Sequence, residues 1–270
     1  MTRNLKVGII GLGVIGGAVL RAIAEDPSGL ILTAVCVRDA AAGRAKLAAL
    51  GVRAQLRSLG ELVEACDVVF DGAVAASLPE IGHAALSAGR TLVTMNSGAL
   101  LDAPDLFDLA AARGGRIVVP SGGVAGFDGI RAACLSDVQT LTLVSRKPPE
   151  SLRDAPHVVQ RGYDLEGLSE PLCVFAGNAR EAARAFPANA NVAATLSLAG
   201  PGPERTRVEM WADPTVTRIT QQIHLVSAAA ELRLEIQSNA MPENPKTGSL
   251  TPLSAIAALR SLVATVRIGS

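Results

Sequence analysis

Six residues near the start of the chain, Gly11-Leu12-Gly13-Val14-Ile15-Gly16, leave few folds open. They follow the apolar run Leu5–Ile10 and lead into a helical stretch that reaches about residue 25. In a strand–turn–helix of this spacing each glycine has a separate task. Gly11 makes the tight turn, Gly13 lets a pyrophosphate approach the backbone, and Gly16 lets the helix pack against the strand. The helix N-terminus then offers free N–H groups and the positive end of its dipole to the phosphates. Gly11, Gly13, Val14, Ile15 and Gly16 are therefore the candidate phosphate-binding residues. The next strand runs into Val37-Arg38-Asp39. An acidic residue at that point bonds the ribose 2′-hydroxyl of NAD, and an arginine accommodates the 2′-phosphate of NADP. Arg38 and Asp39 leave both cofactors open.

The following hundred residues repeat the pattern. Apolar runs at 31–37, 67–71, 91–95 and 116–119 alternate with helical stretches at 40–50, 78–88 and 104–113. Runs that are apolar throughout suit strands covered on both faces, and strand–helix alternation gives a doubly wound parallel sheet. After Pro120 the character changes. Residues 137–147, 205–212, 217–226 and 231–237 alternate polar and apolar positions, as strands with one open face do. Helical stretches at 178–185 and 191–198 lie between them. A Pro-rich loop at 241–251 precedes a last helix at about 252–266. The expected fold is α/β, a Rossmann-type doubly wound parallel sheet followed by an α+β substrate and dimerisation domain. The expected boundaries are 1–120 for dinucleotide binding, 121–250 for substrate, and 251–270 for a C-terminal helix packing back on the first domain.

Composition excludes other classes. Twenty-five Lys and Arg balance twenty-five Asp and Glu in 270 residues, so no basic field invites nucleic acid or an anionic membrane. One Trp, one Tyr and five Phe are too few for a base-stacking platform. No run reaches the roughly 18 apolar residues of a membrane span. The glycines at 8, 11, 13, 16 and 17 break the apolar start that a signal peptide would need. Cys36, Cys66, Cys134 and Cys173 are scattered in apolar contexts, which reads as reduced thiols in the cytoplasm, and no metal site is expected. The partner is a small molecule.

Candidate chemistry lies in a few places. The glycine-rich stretch 119–126 follows the last strand of the first domain, where ligands of such sheets bind. Of three histidines, His83 sits in an Ala-rich helix and His157 in a loop. His224 falls on the polar side of its strand with Arg218, Thr220 and Gln222, opposite Ile219, Ile223 and Leu225. Asn244-Pro-Lys246-Thr247-Gly248 is a turn by composition that groups an amide, a cation and a hydroxyl, and Arg146-Lys147 ends a strand. Such groups suit a carboxylate-bearing substrate.

Over essentially its whole length the chain resembles the L-aspartate dehydrogenase family. The resemblance rests on 8–17, VTMNSGAL at 93–100, VPSGGVAG at 119–126, RKPP at 146–149, NVAATLSL at 191–198, residues 222–224, and NPKTGSLTPLSAIAAL at 244–259. It implies NAD(P)-dependent oxidative deamination of L-aspartate to oxaloacetate and ammonia through iminoaspartate, or the reverse reductive amination, and a homodimer. It also implies a supply of iminoaspartate for NAD biosynthesis. By position it implies His224 as the catalytic histidine and Ala125 and Asn191 as cofactor contacts. Lys147, Asn244, Lys246 and Thr247 are then the candidates to hold the substrate carboxylates. One departure from the expected pattern is Gln222, where the resemblance leads one to expect Asn two residues before the histidine. Two alternatives stand beside this reading. One is another NAD(P)-dependent reductase of related architecture, like homoserine dehydrogenase or dihydrodipicolinate reductase. The other is an NAD(P)-binding sensor without turnover.

Overall fold

Uninterrupted apolar strands need cover on both faces, and the N-terminal half supplies it by alternating them with helices. The computed structural model describes residues 4–187, 190–241 and 244–269. The chain divides into two units, Met1–Pro120 with Pro252–Ser270 and Ser121–Thr251.

The first unit runs β1 (Leu5–Ile10), α1 (Val14–Glu25), β2 (Leu30–Cys36), α2 (Ala40–Ala49), β3 (Gln55–Leu56), α3 (Leu59–Ala65), β4 (Val68–Asp71), α4 (Leu78–Ser87), β5 (Thr91–Thr94), α5 (Ser97–Leu100), α6 (Asp105–Arg113) and β6 (Arg116–Val118). The six strands are parallel in the order β3-β2-β1-β4-β5-β6. This is the doubly wound order, with its switch point between β1 and β4. One face buries Val7, Ile9, Val19, Leu20 and Phe70, and the other Leu62, Val69, Leu86 and Leu106. β3, α3 and α5 go beyond the sequence expectation. A two-residue strand has no period to detect, although Ser58 and Glu61 form a capping box at the start of α3.

The second unit runs α7 (Phe127–Ala133), β7 (Val138–Lys147), α8 (Pro156–Arg161), β8 (Leu172–Asn178), α9 (Ala179–Ala185), α10 (Asn191–Ala199), β9 (Thr206–Ala212), β10 (Ile219–Ser227), β11 (Glu231–Ser238), β12 (Ala240–Met241) and β13 (Asn244–Gly248). A mixed sheet of order β11-β10-β7-β9-β8 forms its centre. Its inner face carries Leu141, Leu143, Val208, Met210, Ile223 and Leu225, in one core with Ile130, Ala182 and Leu196 from the helices. The 244–248 stretch, read as a turn from its composition, is instead a strand paired with β12 through Ala240–Gly248 and Met241–Asn244. Pairing with β12 overrides the turn propensity of its Asn, Pro and Gly.

The final helix, α11, spans Leu250–Ser261, so it starts and stops earlier than its sequence predicts. Thr265, Val266 and Ile268 beyond it are β-branched and favour extended backbone. Its Ala255 and Leu259 are fully buried in the core of the first unit, and Arg260 donates to Asp26 at 2.8 Å.

Candidate active site

The glycine turn of the first unit is built as its sequence demands. Gly11 has φ +81°, a left-handed conformation that favours glycine. A Cβ on Gly16 would run into the Gly11 carbonyl oxygen, and one on Gly11 would come within 2.8 Å of the Gly72 oxygen. Gly13 is the N-cap of α1 and supplies no side chain, so the first turn keeps its N–H groups for a ligand. Around it lies a cavity of about 580 Å³ lined by Gly11, Gly13, Arg38, Asp39, Lys46 and Gly72 among others. It sits at the C-terminal ends of β1, β2 and β4, the switch point of the sheet. These residues fit a dinucleotide: Gly11 and Gly16 leave no room for a Cβ within the turn, Gly13 presents no side chain where a pyrophosphate must approach, and cations stand where β2 ends.

Behind the turn is a network that the sequence reading missed. Asp71, fully buried at the end of β4, accepts from Thr94 Oγ1 at 2.7 Å and Asn96 Nδ2 at 2.9 Å through Oδ2. Its Oδ1 accepts from the Ala73 N–H at 3.1 Å, and Asn96 Nδ2 also donates to the Ala73 carbonyl at 3.2 Å. Burial pushes the Asp71 carboxyl up, against the hydrogen bonds from Asn96, Thr94 and Ala73 that favour its charged form. The network fixes the Gly72–Ala73 backbone against which Gly11 packs. The available signal was one acid closing an otherwise apolar run, Val68-Val69-Phe70-Asp71. Asp71→Ala would leave two buried donors short of an acceptor. We expect a loss of about 2–3 kcal/mol in urea unfolding; an unchanged midpoint would show that the network adds no stability.

Within the second unit, strand alternation sorts the candidates onto two faces. His224 is on the open face, 43% exposed, with Nε2 2.9 Å from Glu231 Oε1. The hydrogen bonds of His224 and Arg233 to Glu231 hold that carboxyl below its ordinary range. Gln222, on the same face, donates to Glu235 at 2.8 Å. Thr220, expected to join this polar row in the open, is 5% exposed.

The Arg146-Lys147 pair is split in the same way. Arg146 bonds Asp213 at 3.0 Å and stacks over the Trp211 ring at 4.8 Å. Lys147 turns to the inner face and is 3% exposed, and burial alone pushes its ammonium down to about 8. Beside it on that face are Ser145 and Gln221, 2% and 3% exposed, which face each other across β7 and β10. Neither was picked out from the sequence. The signal was there: polar residues at 145, 147 and 221 interrupt the apolar series of Leu141, Leu143, Ile219, Ile223 and Leu225.

At the same end of the sheet Ile219 pairs with Ser238, and a Cβ on Gly248 would lie 2.5 Å from Ser238 Oγ. β13 therefore lies against Ser238, with Asn244 Nδ2 donating to Thr247 Oγ1 at 3.0 Å. The Lys246 side chain falls outside the described residues. Ala125 is exposed in the loop before α7, and Asn191 begins α10. A Cβ on Gly123 would lie 3.7 Å from Val192, so loop and helix start are neighbours. Strand alternation thus keeps His224 apart from Lys147. His83 is exposed beside Asp105, and His157 packs among Tyr163, Phe175 and Phe186. Among the described residues no group of three or more His, Cys, Asp or Glu is placed to hold a metal ion, and no helix is long and apolar enough to cross a membrane.

Known proteins match both units. The model of the homoserine dehydrogenase NAD-binding domain matches residues 11–120, and that of the aspartate dehydrogenase C-terminal domain matches 128–262. The L-aspartate dehydrogenase of Bradyrhizobium diazoefficiens is 45% identical over 99% of this chain and 95% of its own length. The chain belongs to the L-aspartate dehydrogenase family. Other members include L-aspartate dehydrogenase 3 of Bordetella bronchiseptica, 43% identical over 99% of this chain and 98% of that one. The enzyme of Methanosarcina mazei is 40% identical over 98% and 100%. The crystal structure of aspartate dehydrogenase from Thermotoga maritima superposes with a TM-score of 0.76 at 23% identity, covering 99% of this chain and all of that one. At that identity the likeness speaks for the fold, a Rossmann-like sheet followed by a mixed-sheet unit.

Proposed function

We propose that this protein oxidises L-aspartate with NAD(P)+ and water to oxaloacetate, ammonium, NAD(P)H and a proton, and runs the reverse reductive amination when ammonia is abundant. Family membership over the full chain, joined to a dinucleotide cradle in the first unit, carries this reading. When bound, the cofactor supplies the hydride acceptor. The chain supplies the rest: the first turn of α1 holds the pyrophosphate, and Lys147 holds a substrate carboxylate as a buried cation. Asn244 and Thr247 add an amide and a hydroxyl at the same end of the sheet, while Ala125 and Asn191 stand as cofactor contacts of the second unit. His224 lies on the opposite face of β10, bound to Glu231, and takes no part in holding the carboxylate. The family resemblance also supports a cytoplasmic homodimer that feeds iminoaspartate to NAD biosynthesis.

The end of β2 favours NADP. Asp39 is turned into α2, where Oδ1 accepts from the N–H groups of Ala41 and Ala42 at 2.8 and 3.1 Å as the N-cap. Arg38 and Lys46 line the same cavity and offer two cations to a 2′-phosphate. Arg38→Ala should weaken NADPH, read by its fluorescence on binding, by roughly 10–100-fold and NADH by less than about 3-fold. Equal losses for both would remove Arg38 from 2′-phosphate recognition. The reaction itself is tested at 340 nm with L-aspartate, D-aspartate, L-glutamate, L-alanine and L-homoserine. Reduction confined to L-aspartate supports the reading; turnover of L-homoserine alone would move the protein to another reductase.

A further inference from the structure

Buried polar atoms in native proteins are nearly always paired, so those without a partner call for a reason. Ser145 Oγ and Gln221 Oε1 are both buried with no hydrogen-bond partner among the described residues. They are not scattered. Ser145 and Gln221 are partners in the β7–β10 ladder, so their Cα atoms are about 5 Å apart and their side chains share the inner face. Lys147 is two residues along β7 on that same face. A hydroxyl, an amide oxygen and a cation thus share one face where the surrounding ladder is Ile219, Ile223, Leu143 and Met210. Burying the Ser145 hydroxyl and the Gln221 amide oxygen unpaired is costly, and apolar residues would pack at those two positions more stably.

We propose that Ser145 and Gln221, with Lys147, form the recognition site for the amino-acid head of the substrate. The assignment rests on the aspartate reading above and deepens it. Lys147 and the Ser145 hydroxyl both donate to one substrate carboxylate. Gln221 Oε1 accepts an N–H from the adjacent α-ammonium, and in the reverse direction from the nitrogen of the imine. The three groups demand a ligand with an anion and an N–H donor on neighbouring atoms. Gln221 therefore reads the nitrogen, and Ser145 reads the carboxylate.

The two roles separate by calorimetric titration of the NADPH-loaded enzyme, where no turnover occurs, with L-aspartate and with succinate. Succinate keeps both carboxylates and lacks the nitrogen. Gln221→Met should weaken L-aspartate by about 10-fold or more and leave succinate within about 2-fold. Ser145→Ala should weaken both ligands by about 10-fold. Gln221→Glu keeps an acceptor for the ammonium and adds a repelling charge, so succinate should suffer more than L-aspartate. Each variant is checked by its melting temperature, which should stay or rise in Gln221→Met because an unpaired polar atom leaves the core. A merely structural role would instead lower that temperature and leave the ligand ratio unchanged. Normal L-aspartate binding by the wild type, with all three variants binding both ligands equally well, would overturn the site alone. No binding of L-aspartate by the wild type would overturn the substrate reading, and this site with it.

Discussion

Lys147→Met raises the KM for L-aspartate by roughly 100-fold or more and leaves NADPH affinity unchanged. The first part follows from the place of Lys147, 3% exposed on the inner face of the second sheet. A carboxylate held there by a desolvated cation loses about 3 kcal/mol or more when the cation goes, and each 1.4 kcal/mol is tenfold.

Two opposite pH trends should come from this one residue. Burial lowers its pKa from 10.5 to about 8. Between those values the unfolded chain holds more protons than the folded one, so stability rises with pH across the window. Affinity for the carboxylate runs the other way, because the cation is lost above about 8, so KM for L-aspartate climbs there. Lys147→Met should show neither trend. A variant with wild-type KM, or with both trends intact, would remove Lys147 from the site.

Gly16→Val abolishes cofactor binding. The Cβ alone would collide with the Gly11 carbonyl oxygen, which is backbone and cannot rotate away. The turn must then open, and with it the row of N–H groups at the start of α1. NADPH affinity measured by fluorescence should fall by at least about 100-fold, since the two or three charge-assisted bonds each count for about 1.5 kcal/mol or more. Circular dichroism should still show the strands and helices of the second unit, whose core shares no residue with α1. Retained NADPH affinity in Gly16→Val would mean that the dinucleotide binds elsewhere.

The first unit was legible because glycine geometry and apolar runs are local signals. Gly11, Gly13 and Gly16 have their turn, and all the longer parallel strands stand within a residue or two of where the sequence puts them. β3 was invisible because two residues carry no period, and β13 because its Asn, Pro and Gly favour a turn that pairing with Ala240 and Met241 overrules. The second site was harder. Alternation along 217–226 puts Ile223 and Leu225 inward, as they are, and His224 on the outward row. The informative residue was Gln221, an amide in the inward series, and its meaning appears only when the ladder sets it opposite Ser145. Likewise, Arg146 and Lys147 look alike in sequence, and only their faces separate a surface pair with Asp213 from a buried cation. Asp71, Thr94 and Asn96 are 23 and 25 residues apart and meet only through the parallel pairing of β4 with β5.

The most direct test of the whole account is the ratio of ammonium released to NAD(P)H formed when purified enzyme is given L-aspartate. Oxidation of the amino acid predicts one ammonium for each NAD(P)H, with oxaloacetate as the carbon product. NAD(P)H formed without ammonium, or no NAD(P)H from L-aspartate with either cofactor, would contradict it.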